Sequence, residues 1–481
     1  MSTGGTLVGR KAARLVREAL ADTRVVTVNG ARQVGKSTLI TEIAREYPGA
    51  VIRTLDDPAL LLAAREDPVS FVTHDGLVVI DEVQRAPDLF LPIKLVVDAD
   101  PAPGRFLLAG SAQILALRDL PDALPGRMET IELWPFSQGE LDDTPDRFVD
   151  AAFAAGPDLE HESTLTKRDY FERIVRGGFP EAVARTGRRR GAFFESYLRT
   201  LLDRDVRELA AIERLGELRR LLALLAGRAA GLLVVDSLSA AVGLPRTTLD
   251  RYLHLLSATF FVREIPAWSA GPTLRTTGTP KIALTDTGLA AHLVNQDAQR
   301  LAGPGTSGGP LLENFVLMEL ARQLTWSETF AQLYHFRTRD GVEVDAVLET
   351  GDGRLVAIEV KAAATVRAED LRGLRHLARR LGDRFAAGFV FHTGPHTIAL
   401  GDRIRALPLE ALWRLAPLVG RPRACRSGSR ASAAVRWAGG VLVVRARQWR
   451  PAALAAATPV GESSTARTWA GSRARRVRAR R

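Results

Sequence analysis

A single cysteine, Cys425, in 481 residues leaves no partner for an intramolecular disulfide and no Cys-based zinc site. That scarcity fits a reducing compartment, and the cytoplasm is the expected one. Long apolar runs are lacking too. The longest candidate, residues 221–235, is broken by Arg228 and falls short of the roughly 20 residues a membrane helix needs. Residues 7–20 hold no uninterrupted apolar core of the secretory kind; their apolar side chains recur at helical intervals among charges, which predicts an amphipathic helix. No membrane partner is expected. Acid is almost absent from residues 421–481, where one Glu and no Asp face 15 Arg. This stretch carries +14 against a formal net charge of +11 for the chain, so residues 1–420 are slightly acidic at −3. The basicity therefore belongs to the tail and says nothing about the surface of the body.

What remains is 46% hydrophobic and 25% charged, the balance of a folded globular chain, and its length calls for two or three domains. From residue 24 to about 135, short β-branched runs (25–28, 50–54, 77–80 and 105–108) alternate with helical stretches. That alternation predicts an α/β unit with a parallel sheet, and fully apolar strands imply a sheet covered on both faces. The acidic, Pro-containing stretch 141–163 reads as a loop or linker, and residues 168–265 as helical. A turn-former cluster at 301–310 marks a further boundary. From Leu311 to Trp413 the order is helix, three strands, helix, strand. The expected divisions are 1–140, a linker at 141–167, a helical region at 168–300, a small α/β region at 311–413, and an Arg/Ala-rich tail at 421–481 whose composition predicts disorder. The tail's arginines and Trp437, Trp449 and Trp469 suit phosphate contact and base stacking, but a gene end without function is the favoured reading.

Residues 30–37, Gly-Ala-Arg-Gln-Val-Gly-Lys-Ser, satisfy the phosphate-loop pattern between the strand 25–28 and a helix from Thr38. Glycines let the backbone aim several N–H groups at one anion, and the helix N-terminus adds its positive end. The expected nucleotide-binding set is Gly30, Ala31, Arg32, Gln33, Val34, Gly35, Lys36, Ser37 and Thr38, with Lys36 on the outer phosphates and Ser37 on magnesium. The strand 77–80 ends in Asp81 and Glu82, which places two carboxylates on the same sheet edge. Asp81 is expected to hold magnesium and Glu82 to orient or deprotonate the attacking water. Ser111, ending the next strand, is a candidate for contact with the γ-phosphate or that water, or a plain turn residue.

These residues, together with 79–84, 108–111, 126–137, 176–180 and 197–206, resemble the AAA-type ATPase core. More narrowly, the chain is similar over about residues 7–413 to a prokaryotic family joining such an ATPase to a C-terminal domain of unknown function. The resemblance implies ATP as the nucleotide, with magnesium, and places Arg127 where the family has an arginine after the sensor strand, beside the γ-phosphate in the expected role.

Residues 237–256 read as helix, Gly-containing turn and helix, followed by a strand at 260–265, which resembles a winged helix-turn-helix. Arg246, Thr247, Thr248 and Arg251 would face DNA if it reads any; a packing module is the equal alternative. In the last region Asp345, Glu359 and Lys361 lie on successive strands, the latter two on one face because strand side chains repeat every two residues. With Glu313 from the preceding helix they form a candidate divalent-metal site for phosphodiester cleavage, and the element order looks like the restriction-endonuclease fold. The competing reading is an ion pair on a silent scaffold that docks a protein partner or another copy of the chain. His335 and His392 lack metal-ligand spacing and are expected in the core or at the surface. The function these readings converge on is a magnesium-dependent ATPase coupled to a nuclease-like region, with DNA the leading macromolecular target. An ATP-operated interaction switch and a DNA-binding regulator are the alternatives.

Overall fold

The computed structural model describes residues 7–111, 124–202, 215–271, 275, 278–303 and 308–417, which fall in one unit spanning residues 1–421. The tail beyond Arg421, with Cys425 and the expected disorder, lies outside the described residues.

Strands β1 (Val25–Asn29), β2 (Val51–Thr54), β3 (Val78–Asp81), β4 (Phe106–Gly110) and β5 (Met128–Glu132) form a sheet in the order β2-β3-β4-β1-β5, with every pairing parallel. Helices α1 (Ala12–Asp22), α2 (Lys36–Ala44), α3 (Pro58–Glu66), α4 (Pro68–Val72) and α5 (Phe90–Ala99) connect and cover it. Every residue of β1, β3 and β4 is buried, which is why these runs are apolar on both faces. Strand β5 escapes a hydrophobic reading because it is an edge: of Met-Glu-Thr-Ile-Glu, only Ile131 is fully buried. A parallel sheet gathers the carboxyl ends of β1, β3 and β4 on one side, so Asn29, Asp81 and Gly110 share an edge.

The stretch 141–163 corrects the linker expectation. It begins in the last turn of α6 (Gln138–Asp142) and contains α7 (Phe148–Ala155), and two of its acids, Asp146 and Asp150, are buried. Asp146 accepts from the Ser137 hydroxyl at 2.5 Å and from Gln323 at 2.9 Å, while Asp150 accepts from Arg147 at 2.9 Å and Ser327 at 2.6 Å. Phe148 packs edge-on against Phe389 and Phe391 at 5.3 and 5.0 Å between ring centres, which fastens α7 to the C-terminal sheet. An acidic segment looks like a linker when its hydrogen-bond donors lie about 175 residues away, at 323 and 327.

The middle of the chain is helical: α8 (Lys167–Arg176), α9 (Pro180–Val183), α10 (Gly187–Thr200), α11 (Leu215–Gly227), α12 (Val235–Val242) and α13 (Arg246–Ala258) precede a two-stranded antiparallel ribbon, β6 (Val262–Ile265) with β7 (Lys281–Leu284), and then α14 (Thr287–Leu293) and α15 (Ala298–Ala302). Gly243 ends α12 in the left-handed region at φ 75°, giving the expected helix–turn–helix. The glycines of the Arg176–Pro180 stretch are explained by close approach. A Cβ on Gly178 would stand 2.3 Å from the Phe136 carbonyl oxygen, and its N–H donates to buried Asp286 at 2.6 Å.

Helix α16 (Gly308–Trp326) opens the last region. Strands β8 (Ala331–Arg337), β9 (Glu343–Thr350) and β10 (Leu355–Val360), helix α17 (Arg372–Leu381), β11 (Phe385–His392), β12 (Ile398–Ala399), β13 (Ile404–Pro408) and α18 (Ala411–Arg414) complete it. The sheet order is β12-β13-β11-β10-β9-β8; β9 runs antiparallel to both β8 and β10, while β10, β11 and β13 run parallel. Helix α16 is buried around most of its circumference, so its polar residues need internal partners: Glu319 takes the Gln138 N–H at 2.9 Å, and Arg322 donates to Glu319 and to the Thr285 carbonyl. One hydrophobic core runs from Ala12 through the helical middle to Trp413, with α16 at its centre.

Candidate functional site

The loop after β1 is built against the exit of β5. Leu133 donates its N–H to the Asn29 carbonyl at 2.7 Å, and a Cβ on Gly30 would lie 2.1 Å from the Leu133 carbonyl oxygen, so only glycine fits there. Gln33 and Gly35 take left-handed backbone at φ 63° and 96°, curling the loop into the start of α2. Ala31 and Val34 belong to the core, whereas Arg32, Gln33, Gly35, Lys36, Ser37 and Thr38 line a cavity of about 660 Å³. The Lys36 ammonium bonds the Gly30 and Ala31 carbonyls, both at 2.9 Å. The Ser37 hydroxyl stands near the Asp81 carboxylate, whose proton affinity burial raises and that hydroxyl lowers. A hydroxyl beside a carboxylate at a phosphate loop is the donor set magnesium takes, so the residues fit that ion.

Glu82 faces the same cavity from a left-handed backbone, φ 55°. Its carboxylate accepts from the Ser111 hydroxyl at 3.1 Å and from Gln84, which also donates to Ser111 at 3.1 Å. Gln84 thus joins the site as a residue that motif reading left without a role. Arg185 and Arg189, from the α9–α10 connection and the start of α10, line the cavity's far wall with Pro180. They are separated from the loop by about 150 residues of sequence, and no local pattern marks them. Arg10 braces the loop from behind, donating to the Val34 carbonyl at 2.7 Å and to Glu140 at 3.1 Å.

Arg127 stands elsewhere. Its carbonyl accepts the Val25 N–H at the amino end of β1, the opposite edge from the loop, and its guanidinium grips Asp98 at 2.5 and 3.1 Å. It is not beside the phosphates of its own chain, because a parallel strand of five residues separates the two edges.

The acids of the last region do converge. Glu359 pairs with Lys361 at 2.9 Å, and Lys361 also reaches Asp370 at 3.4 Å. Asp345 takes the Val360 N–H at 2.8 Å. Between Asp345 and Glu313 stands a group that sequence reading missed: the ammonium of Lys281, from β7, at 2.5 Å from Glu313 and 3.5 Å from Asp345. Burial pulls the Lys281 ammonium down, but Glu313 and Asp345 outweigh it and hold the group charged. The expected metal set of Glu313, Asp345 and Glu359 therefore does not fit a divalent ion in this arrangement. Among the described residues no cluster of three or more His, Cys, Asp or Glu side chains is placed to hold one. Burial, then Asp345, pushes Glu313 and Glu359 up to about 8. His335 and His392 are core residues, each 1% exposed. Arg246 is exposed and paired with Asp236 at 2.7 Å, Thr247 and Arg251 are exposed, and Thr248 is half-buried.

These burials set a pH dependence. Asp146, Glu319 and Asp286 are also raised by burial. Unfolded, such carboxyls titrate near pH 4. The folded chain holds the extra protons, so their contribution is full below that pH and is lost as pH rises through the folded values. His335, held down to about 4 by burial, contributes above its ordinary 6.5 and loses that contribution as pH falls. From pH 6.5 to about 8 the carboxyls alone act, so the thermal midpoint is expected to drop over that window and Glu359→Gln to flatten the drop. A midpoint that rises there in the native chain contradicts the burial of these acids.

Residues 22–142 match the family model described as an AAA domain. Residues 167–300 and 308–412 match two models described as domains of unknown function, DUF8612 and DUF4143. Uncharacterized protein Rv2008c of Mycobacterium tuberculosis and uncharacterized protein Mb2031c of Mycobacterium bovis are each 29% identical to this chain over 409 residues, 84% of either length. Among solved structures, the Walker-type ATPase PABY2304 of Pyrococcus abyssi aligns with a TM-score of 0.37 at 15% identity, over 60% of this chain and 96% of that one. No helix among the described residues is long and apolar enough to cross a membrane.

Proposed function

We propose that this chain is a magnesium-dependent ATPase whose nucleotide state is passed to its C-terminal region. The observation that carries the reading is the single cavity lined by Lys36, Ser37 and Glu82, with Asp81 beside Ser37 and with Ser111 and Gln84 hydrogen-bonded to the Glu82 carboxylate. Lys36 offsets the charge of the outer phosphates, and loop amides and the start of α2 hold their oxygens. Ser37 and Asp81 would hold magnesium, which supplies further charge neutralisation at the phosphates. Glu82 orients the attacking water and takes its proton, while Ser111 and Gln84 hold the carboxylate toward the cavity. Arg185 and Arg189 bring the helical region against the same nucleotide, which gives bound and empty states different contacts between the two regions.

At the C-terminal cluster the two readings differ in chemistry. The order helix, three antiparallel strands, helix, parallel strand supports a restriction-endonuclease-like scaffold and DNA as its target. Lys281 within the acid set favours the switch, in which the scaffold docks a partner and cuts nothing. The test of the main reading is ATP turnover by the intact chain with and without magnesium and duplex DNA. Magnesium-dependent phosphate release is expected; folded protein giving no calorimetric heat with ATP and magnesium rejects it.

A further inference from the structure

We infer that the C-terminal acid cluster is a cation site that the chain fills with its own Lys281, and that it accepts a divalent metal only when this side chain is withdrawn. Lys281 is 4% exposed and enters from the ribbon of the helical region, not from the sheet that carries the acids. Its ammonium touches the two carboxylates that any ion bound by Asp345 and Glu313 would have to share. The second Asp345 oxygen is committed to the Val360 N–H, and one Glu359 oxygen to Lys361. The other Glu359 oxygen is buried without a hydrogen-bond partner, so the cluster keeps unspent capacity for positive charge. A divalent ion brought beside a buried ammonium is strongly repelled, which makes the two occupants mutually exclusive.

The lysine is not loosely inserted. Asn314, next to Glu313 on α16, clamps β7 by accepting the Leu284 N–H and donating to the Leu284 carbonyl, both at 2.8 Å. Withdrawal therefore requires β7 to shift against α16. Two residues past Leu284, Asp286 holds the Gly178 N–H, and Pro180, two residues further along that stretch, lines the nucleotide cavity. The inference deepens the nuclease-like reading of the last region and rests on it only for what a bound ion would do.

The experiment is Mn²⁺ uptake by the intact, nucleotide-free chain, read from the spin-resonance signal of free Mn²⁺. In the native chain, Asp345→Asn is expected to leave uptake unchanged, since the cluster is already filled; a drop overturns the inference. Lys281→Met is expected to gain one Mn²⁺ site at least about 10-fold tighter than any in the native chain, lost again on adding Asp345→Asn, while Lys281→Arg gains none. Folded Lys281→Met without a new site overturns it, and Lys281→Gln serves if the methionine variant does not fold. Metal gained without nicking of duplex DNA removes the nuclease-like reading and leaves the lysine's role standing; no metal gained removes the lysine's role whatever the ATPase does.

Discussion

Lys36→Ala is expected to lower ATP affinity and turnover by about 100-fold or more, the usual loss when a preorganised charge on a reacting oxyanion is removed. The loop should survive the change, because its curl is fixed by Gly30 against Leu133 and by Arg10 on the Val34 carbonyl, not by the lysine alone. Glu82→Gln should behave differently. The amide keeps its place beside Ser111 and Gln84 but cannot accept a proton from water, so ATP still binds while turnover falls on the order of 100- to 10,000-fold. Calorimetry and phosphate release on the three proteins separate affinity from chemistry. Equal turnover in all of them would remove both assignments.

Trp413→Ala is expected to cost about 3–5 kcal/mol, the range for deleting a fully buried indole. Its ring is inaccessible to solvent, lies under the Arg173 guanidinium at 5.3 Å and meets Tyr170 and Phe315 edge-on. Its Nε1 donates to Asp142 and its carbonyl accepts from Thr144 and Asp146. These partners belong to the end of the AAA domain, the helical region and α16, so one side chain pins three regions in a common core. Unfolding followed by tryptophan fluorescence and by nucleotide binding should show one transition that moves as a whole. Two transitions, with the nucleotide-linked one unmoved, would show that the regions are stable separately.

Much of this was legible in the chain. Residues 30–38 and the Asp81–Glu82 pair declare themselves because a phosphate loop needs glycines, a lysine and a hydroxyl in a short stretch, and a parallel sheet then brings the strand ends together. Glu359 and Lys361 share a face through the two-residue period of a strand, and they do form a pair. Gln84 lay within reach, two residues beyond Glu82, but only the close approach of Ser111 reveals what it holds. The helix expected over residues 7–20 forms at Ala12–Asp22, whereas the service of Arg10, ahead of it, to the loop was not legible.

Local chemistry thus determined the elements and the loop that lines the cavity: backbone curl, strand alternation and helix periodicity act over a few residues and leave a local trace. Tertiary structure alone decided that Asp146 and Asp150 would be buried as acceptors, that Arg127 would face the far edge of the sheet, that Arg185 and Arg189 would line the cavity at the 30–38 loop, and that Lys281 would sit among the C-terminal carboxylates. The reason is the same in each case. A charged side chain looks solvated in sequence, and whether it is buried depends on an opposite charge or donor contributed by a segment far along the chain, whose position the global packing sets.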